Sequence, residues 1–211
     1  MLTVGAVGLL RFVNPPTSAF MVAYVVTADA RAPRLRHRWV DARAIAPAAK
    51  LAVVAGEDQK FPDHFGFDLK QIQASIDDSR RGARLRGAST ITQQVAKNLF
   101  LWQGQSWLRK SLEAYFAVLL EIVWSKSRIL EVYLNTAEFG RGLYGIEAAS
   151  EFFFGKPAAR LTYAESALLA AVLPSPTRFK VDAPSAYVRE RQAWILRQMD
   201  RLGDGYLRAL R

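Results

Sequence analysis

The sequence contains no cysteine and only two histidines, His37 and His64. That excludes a disulfide framework, a thiolate metal site and a histidine metal cluster. It does not fix the compartment, because a protein of an oxidising compartment can also lack cysteine. Acidic residues are scarce: 19 Asp and Glu stand against 29 Lys and Arg, a net charge of +10. A surface this basic favours an anionic partner, whether nucleic acid, phospholipid headgroups or a diphosphate, over plain solubility charge. No apolar run reaches the roughly 20 residues that a bilayer-spanning helix requires. No basic residues precede the first apolar run, as they would in a secretory signal. Sustained two-residue alternation, internal repeats and a Walker phosphate loop are also missing.

What is present is enough apolar residue, 51% of a 211-residue chain, for one domain with a full core. Residues 1–30 hold two apolar stretches separated by Asn14, Pro15 and Pro16, which break any helix. They read as the tail of a membrane helix, as a short interfacial segment or as a packed edge. The first is adopted, because an apolar run that starts at residue 2 looks cut. Residues 31–43 carry Arg31, Arg34, Arg36, Arg38 and Arg43 around Trp39, a pattern that suits a headgroup surface or a solvated linker. From residue 44 to 211 the patterning is helical, with helices expected over 46–56, 69–79, 89–99, 107–124, 127–135, 146–154, after Thr162 and before Gly203. Residues 77–87 read as a mobile basic loop and 139–145 as a glycine-rich turn. The expected class is all-α or nearly so.

Four clusters could carry chemistry. Glu57 follows an alanine-valine helix, where partial burial would raise its carboxyl toward the general acid/base range, and Asp58 beside it pushes the same way. Taken alone, such a pair is an ordinary helix end; Phe61, His64, Gly66 and Asp68 at short fixed spacing make it less ordinary. Gly87, Ala88, Ser89 and Thr90 permit a tight turn into a helix N-terminus, where free amides favour an anion. Gln93, Gln94 and Lys97 share one face of that helix, followed by Asn98; a plain cap and an exposed polar face would look the same. Arg109, Lys110 and Glu113 are spaced as a helical ion cluster or as a second carboxylate held by cations. Glu131, Asn135 and Glu138 suit core or capping roles.

These residues resemble a known family, the peptidoglycan glycosyltransferases, and within it the monofunctional biosynthetic type related to the glycosyltransferase domain of class A penicillin-binding proteins. The resemblance runs from about residue 11 to 180. It rests on Glu57, Asp58, Phe61, His64, Gly66 and Asp68; on the Gly-Ala-Ser-Thr-Ile-Thr-Gln-Gln-x-x-Lys-Asn tract at 87–98; on Arg109, Lys110 and Glu113; on Ile-Leu-Glu-x-Tyr-Leu-Asn at 129–135; and on the apolar stretch at 167–176. Five ordered motifs of this length are very specific.

The resemblance implies a mainly α, lysozyme-like glycosyltransferase domain with a smaller membrane-proximal lobe. It implies inverting polymerisation of lipid II into β-1,4 glycan strands on the periplasmic face of a bacterial inner membrane. By motif position, Glu57 would be the general base and Glu113 the second catalytic carboxylate. Asp58, Phe61, His64, Arg86, Ser89, Thr90, Gln93, Gln94, Lys97, Asn98, Arg109, Lys110 and Asn135 would bind substrate. A divalent cation (Mg or Mn) has a place near Glu113, and no organic cofactor is implied. The partners would be lipid II, the growing glycan chain, membrane phospholipid and other cell-wall synthases or divisome proteins, but not nucleic acid. One departure is Gln105, where many relatives carry an arginine; Arg84 or Arg86 would have to substitute. The competing classes are a lysozyme-like lytic enzyme and a non-catalytic basic membrane-binding module.

Overall fold

The structure, a computed structural model, describes residues 1–80, 89–104, 106–203 and 205–210. It is mainly helical, as expected. The helices are α1 (Leu2–Leu10), α2 (Ala19–Thr27), α3 (Pro47–Glu57), α4 (Leu69–Arg80), α5 (Ile91–Phe100), α6 (Trp107–Val123), α7 (Lys126–Thr136), α8 (Ile146–Phe154), α9 (Tyr163–Val172) and α10 (Ala186–Leu202).

Two groups of helices make the core. In one, α5 packs on both α6 and α7; in the other, α3, α9 and α10 pack on one another. α3 starts with Pro47 in its first turn, where a missing N–H costs nothing, and buries Ala48, Ala49 and residues 51–55 almost all round. It therefore has to be enclosed, and α9 and α10 enclose it. Gly56 allows the closest approach: a Cβ there would lie 3.1 Å from Cδ1 of Ile195 on α10. Thr90 and Gln93 form a reciprocal capping box at the start of α5, as do Thr162 and Glu165 at α9. α10 is amphipathic, burying Val188, Ile195 and Met199 along one stripe.

Two local expectations need correction. Residues 77–80 continue α4 rather than opening a loop; the rest of that expected loop, 81–87, lies outside the described residues. Residues 139–145 are more than a turn. They belong to a small sheet in which β2 (Glu138–Gly140) pairs antiparallel with β3 (Leu143–Tyr144), and β1 (Arg36–His37) pairs parallel with β3. Gly142 sits at the tip with φ +73°, and a Cβ there would be 2.5 Å from the Tyr24 hydroxyl, so glycine is needed for both reasons.

The two N-terminal helices lie against this body. Val7 of α1 is fully buried, and the Trp124 indole donates to its carbonyl at 2.8 Å. α2 packs on α5, capped by Ser18. No described helix is long and apolar enough to cross a membrane. The basic segment 31–43 supplies β1; His37 hydrogen-bonds the Asn135 carbonyl, and Arg38 pairs with Glu151.

Candidate active site

Glu57 is the last residue of α3, and its side chain is only 10% exposed. Two donors hold the carboxylate. Gln94 on α5 donates through Nε2 to Oε2 at 3.0 Å, and Arg191 on α10 donates to Oε1 at 3.1 Å and to the Gly56 carbonyl at 3.1 Å. Behind Gln94, the Tyr133 hydroxyl of α7 donates to its Oε1 at 3.1 Å. Burial pushes the Tyr133 phenol well above its ordinary range, with Glu57 and Asp58 adding to the effect, so it stays a donor. A donor on Oε1 leaves Nε2 to face the carboxylate, which fixes the Gln94 amide in one orientation. Burial raises the Glu57 carboxyl above its usual range; Gln94, Arg191 and Lys97 pull it partly back. The result is a carboxylate more basic than a surface glutamate, held in a single pose.

Beside it lies a cationic groove. Burial lowers the Lys97 ammonium from its ordinary value, Glu113 raises it, Arg109 and Lys110 lower it, and Glu57 raises it. Glu57, Lys97 and the Arg109 cluster thus share one electrostatic neighbourhood. Glu113 is buried, accepting from Arg109 at 3.0 Å and from Lys110 at 2.5 Å. A cavity of about 670 Å³ is lined by Lys97, Arg109, Phe20, Tyr24, Glu138 and Arg141, among others. A smaller one of about 170 Å³ continues it to Gln94, Asn98 and Tyr133. A third, of about 410 Å³, opens onto Glu57 from the side of α4 and α10. A base and a cationic groove on adjoining faces suit a reaction in which a hydroxyl is deprotonated while negative charge collects on a leaving group.

Among known proteins, a family model described as Transglycosylase matches residues 25–200. A biosynthetic peptidoglycan transglycosylase of Mannheimia succiniciproducens is 52% identical, over 99% of this chain and 87% of its own length. Proteins of the same name from Klebsiella oxytoca and Xanthomonas campestris pv. campestris are 56% identical (97% and 87% covered) and 54% identical (95% and 83% covered). The chain belongs to the transglycosylase family. Its members are glycosyltransferases.

In this transglycosylase the expected site residues fall into two sets. Glu57, Gln94, Lys97, Asn98, Arg109, Lys110 and Glu113 gather around the groove and its base. Ser89 sits half-buried just before α5, and Arg86 lies outside the described residues, as does Gln105. The second set, expected to bind substrate, has its polar groups engaged within the protein. Asp58 accepts from His64 and from the Ile91 amide, each at 3.0 Å, so it ties the end of α3 to the start of α5. Thr90 donates to the Gly66 carbonyl at 2.6 Å and caps α5 with Gln93. Phe61 is fully buried beneath the Lys126 ammonium. Asn135 is also fully buried, clamped to the backbone of Val40 on both sides and to the Glu131 carbonyl. As placed, Asp58, Phe61, Thr90, Gln93 and Asn135 lie behind the groove, buried and with their polar atoms engaged within the protein; His64 is held at Asp58 through Nε2, while its buried Nδ1 has no partner among the described residues.

Sequence reading missed Arg191 and Arg141, noted Tyr133 only as part of a motif, and gave Glu138 a core or capping role, whereas Glu138 lines the groove. Arg191 lies one helical turn before Ile195, the residue that meets Gly56, and only that tertiary contact brings it to Glu57. A divalent ion fits poorly at Glu113, since both its oxygens already accept from cations. No group of three His, Asp or Glu among the described residues could hold a metal.

Proposed function

We propose that this transglycosylase polymerises lipid II, the undecaprenyl-diphosphate disaccharide-pentapeptide, into β-1,4 glycan strands with inversion at the transferred carbon. Peptidoglycan glycosyl transfer in cell-wall synthesis is the activity that goes with the family and with the relatives' names. The finer reading rests on one observation above all: Glu57 is oriented by Gln94 and Arg191 and made more basic by burial, within electrostatic reach of Lys97 in the cationic groove.

Glu57 takes the proton of the acceptor's 4-hydroxyl. The freed oxygen attacks the donor's anomeric carbon from the face opposite the α-linked diphosphate. The bond from that carbon to the diphosphate oxygen breaks, and undecaprenyl diphosphate leaves with its charge against Lys97, Arg109 and Lys110. Glu113 keeps the two α6 cations in place. The proton ends on Glu57 and passes to solvent. A lytic enzyme would need a protonated acid at a bridging oxygen, and would gain little from a cation cluster. With both Glu113 oxygens occupied, Lys97, Arg109 and Lys110 carry the leaving-group charge.

The site of action would be the periplasmic face of the inner membrane. Exposed Leu2, Leu9, Val25, Trp107, Leu108 and Ile122 on α1, α2 and α6, beside the basic 31–43 segment, support a lipid-facing surface. Glu57→Gln, which keeps shape and loses the base, is expected to abolish polymer formation from labelled lipid II by a factor of at least ~100. The wild-type enzyme given finished peptidoglycan alone should release no fragments. Retained polymerisation by the variant, or fragment release by the wild type, would sink the assignment.

A further inference from the structure

The third cavity has no part in the reaction as drawn, although it is the one that opens onto Glu57. Its floor is Gly56, Glu57 and Asp58; its walls include Lys60 and Gln71; and Trp194 of α10 stands at its edge. Trp194 is 38% exposed. Its neighbours Ile195 and Leu196 pack into the core, and Trp194 does not join them. Arg191, which grips the Glu57 carboxylate, lies three residues earlier, so both side chains rise from the same flank of α10. An indole that is 38% exposed and presents part of its surface to the cavity beside Glu57 is placed to meet a ligand there.

The chemistry of the cavity restricts what can enter. The cations suited to a diphosphate lie on the other side of Gln94, in the groove of Lys97 and Arg109. Here the cations are Lys60 and Lys70, both exposed, and Lys60 already lies 3.8 Å from Asp68. A volume of about 410 Å³ is on the scale of a small-ligand site. One flat aromatic face with several amide, carboxylate and ammonium groups around it matches a pyranose, which is apolar across its ring face and polar around its rim.

We propose that this cavity is a glycan subsite and that Trp194 is its platform: a β-1,4-linked amino-sugar unit of the strand stacks on the indole and is positioned thereby against Glu57. Trp194 is a positioning and specificity residue here, not a catalytic one. The proposal rests on the reading of Glu57 as the base, but its binding half can be tested without turnover.

The probe is chitotetraose, a soluble β-1,4 N-acetylglucosamine oligomer with no lipid and no phosphate, titrated into the Glu57→Gln protein while tryptophan fluorescence is followed. A saturable change is expected, and it should vanish in Glu57→Gln/Trp194→Phe, whose fold is checked by circular dichroism. In the otherwise native enzyme, Trp194→Ala is expected to raise KM for lipid II about tenfold with kcat within about twofold, and Trp194→Phe to restore much of the loss. A residue that only supports the fold would lower both together and would not be rescued by phenylalanine. An oligosaccharide response that survives Trp194→Phe, or no response in the parent, overturns the proposal. If Glu57→Gln still polymerises lipid II, the assigned reaction fails, and the titration still decides whether the cavity binds glycan.

Discussion

Glu57 ends its helix in the grip of two unlike donors, and the difference between them has a consequence. Gln94 contributes a neutral hydrogen bond, and Arg191 contributes a hydrogen bond with a full charge. Burial moves the carboxyl upward, and Arg191 opposes the shift through both its charge and its hydrogen bond. With Glu57 as the general base proposed above, which works only when ionised, the acidic limb of the pH–rate profile would follow this carboxyl. Removing the guanidinium removes an influence that lowers it, so the limb moves to higher pH. For Arg191→Ala we expect kcat/KM to fall at neutral pH and its acidic limb to move to higher pH. Arg191→Lys should fall between the two, because an ammonium supplies charge without the planar fork. Profiles of kcat/KM from about pH 5 to 9 provide the check; a limb that stays put or moves down would show that Arg191 acts on the fold alone.

At the scale of elements, the site is where the two helix groups meet. α3 and α10 supply Glu57 and Arg191; α5 and α7 supply Gln94 and Tyr133. Gly56 sets the spacing within the first group. Gly56→Val would drive a branched side chain into Ile195, with a Cβ starting 3.1 Å from its Cδ1, and push α10 outward together with Arg191. Overpacking of this kind costs about 1–3 kcal/mol. We therefore expect a lower thermal midpoint and an activity loss beyond what the stability change accounts for, with Gly56→Ala milder in both. Wild-type activity in the Gly56→Val protein would mean that the α3–α10 spacing does not govern the base.

The same elements show what sequence can and cannot reveal. Helices such as α5 and α10 were legible through a cap or a periodic stripe, Thr90 with Gln93 in the first and Val188, Ile195 and Met199 in the second. The three strands were not, because two or three residues cannot show an alternation, and their pairing depends on 31–43 folding back onto 143–144. Glu57, Lys97 and Glu113 were singled out through motif spacing, and the fold brings them into one electrostatic neighbourhood. Their neighbours Asp58, Thr90, Gln93 and Asn135 share the spacing but are buried with their polar atoms bonded inside the protein, because spacing does not reveal which way a side chain faces. Arg191 carried a weak signal: it lies on the apolar stripe of α10, three residues after Val188 and four before Ile195, whereas Arg189, Arg197 and Arg201 lie off it; only the fold shows that it meets Glu57.

On the scale of the whole molecule, Arg128 gathers several of the hydrogen bonds that join the end of α1 to the catalytic body. Arg128, in the first turn of α7, donates to the Leu10 carbonyl at 3.0 and 3.3 Å, to the Val13 carbonyl at 3.0 Å, to Asn14 at 2.8 Å and to Glu131 at 2.8 Å. It also stacks near Trp39 and Trp124, the second of which holds α1 through Val7. Leu10 and Val13 lie where α1 ends and cannot satisfy their own carbonyls within a helix. A guanidinium is the one side chain with enough donors, in a fixed plane, to serve them together with Asn14 and Glu131. Arg128→Lys is therefore expected to behave much like Arg128→Ala, whereas a site that needed only charge would be rescued by lysine. Either variant should detach residues 1–18 from α6 and α7, lower stability by about 2–4 kcal/mol and leave the Glu57 cluster intact. Limited proteolysis should then cut near residues 11–16 well before the body, and hydrogen exchange should quicken in α1 but not in α3 or α5. If α1 stays as protected in Arg128→Ala as in the wild type, its attachment rests on Val7 and Trp124 instead, and the carbonyls at its end find their donors in water.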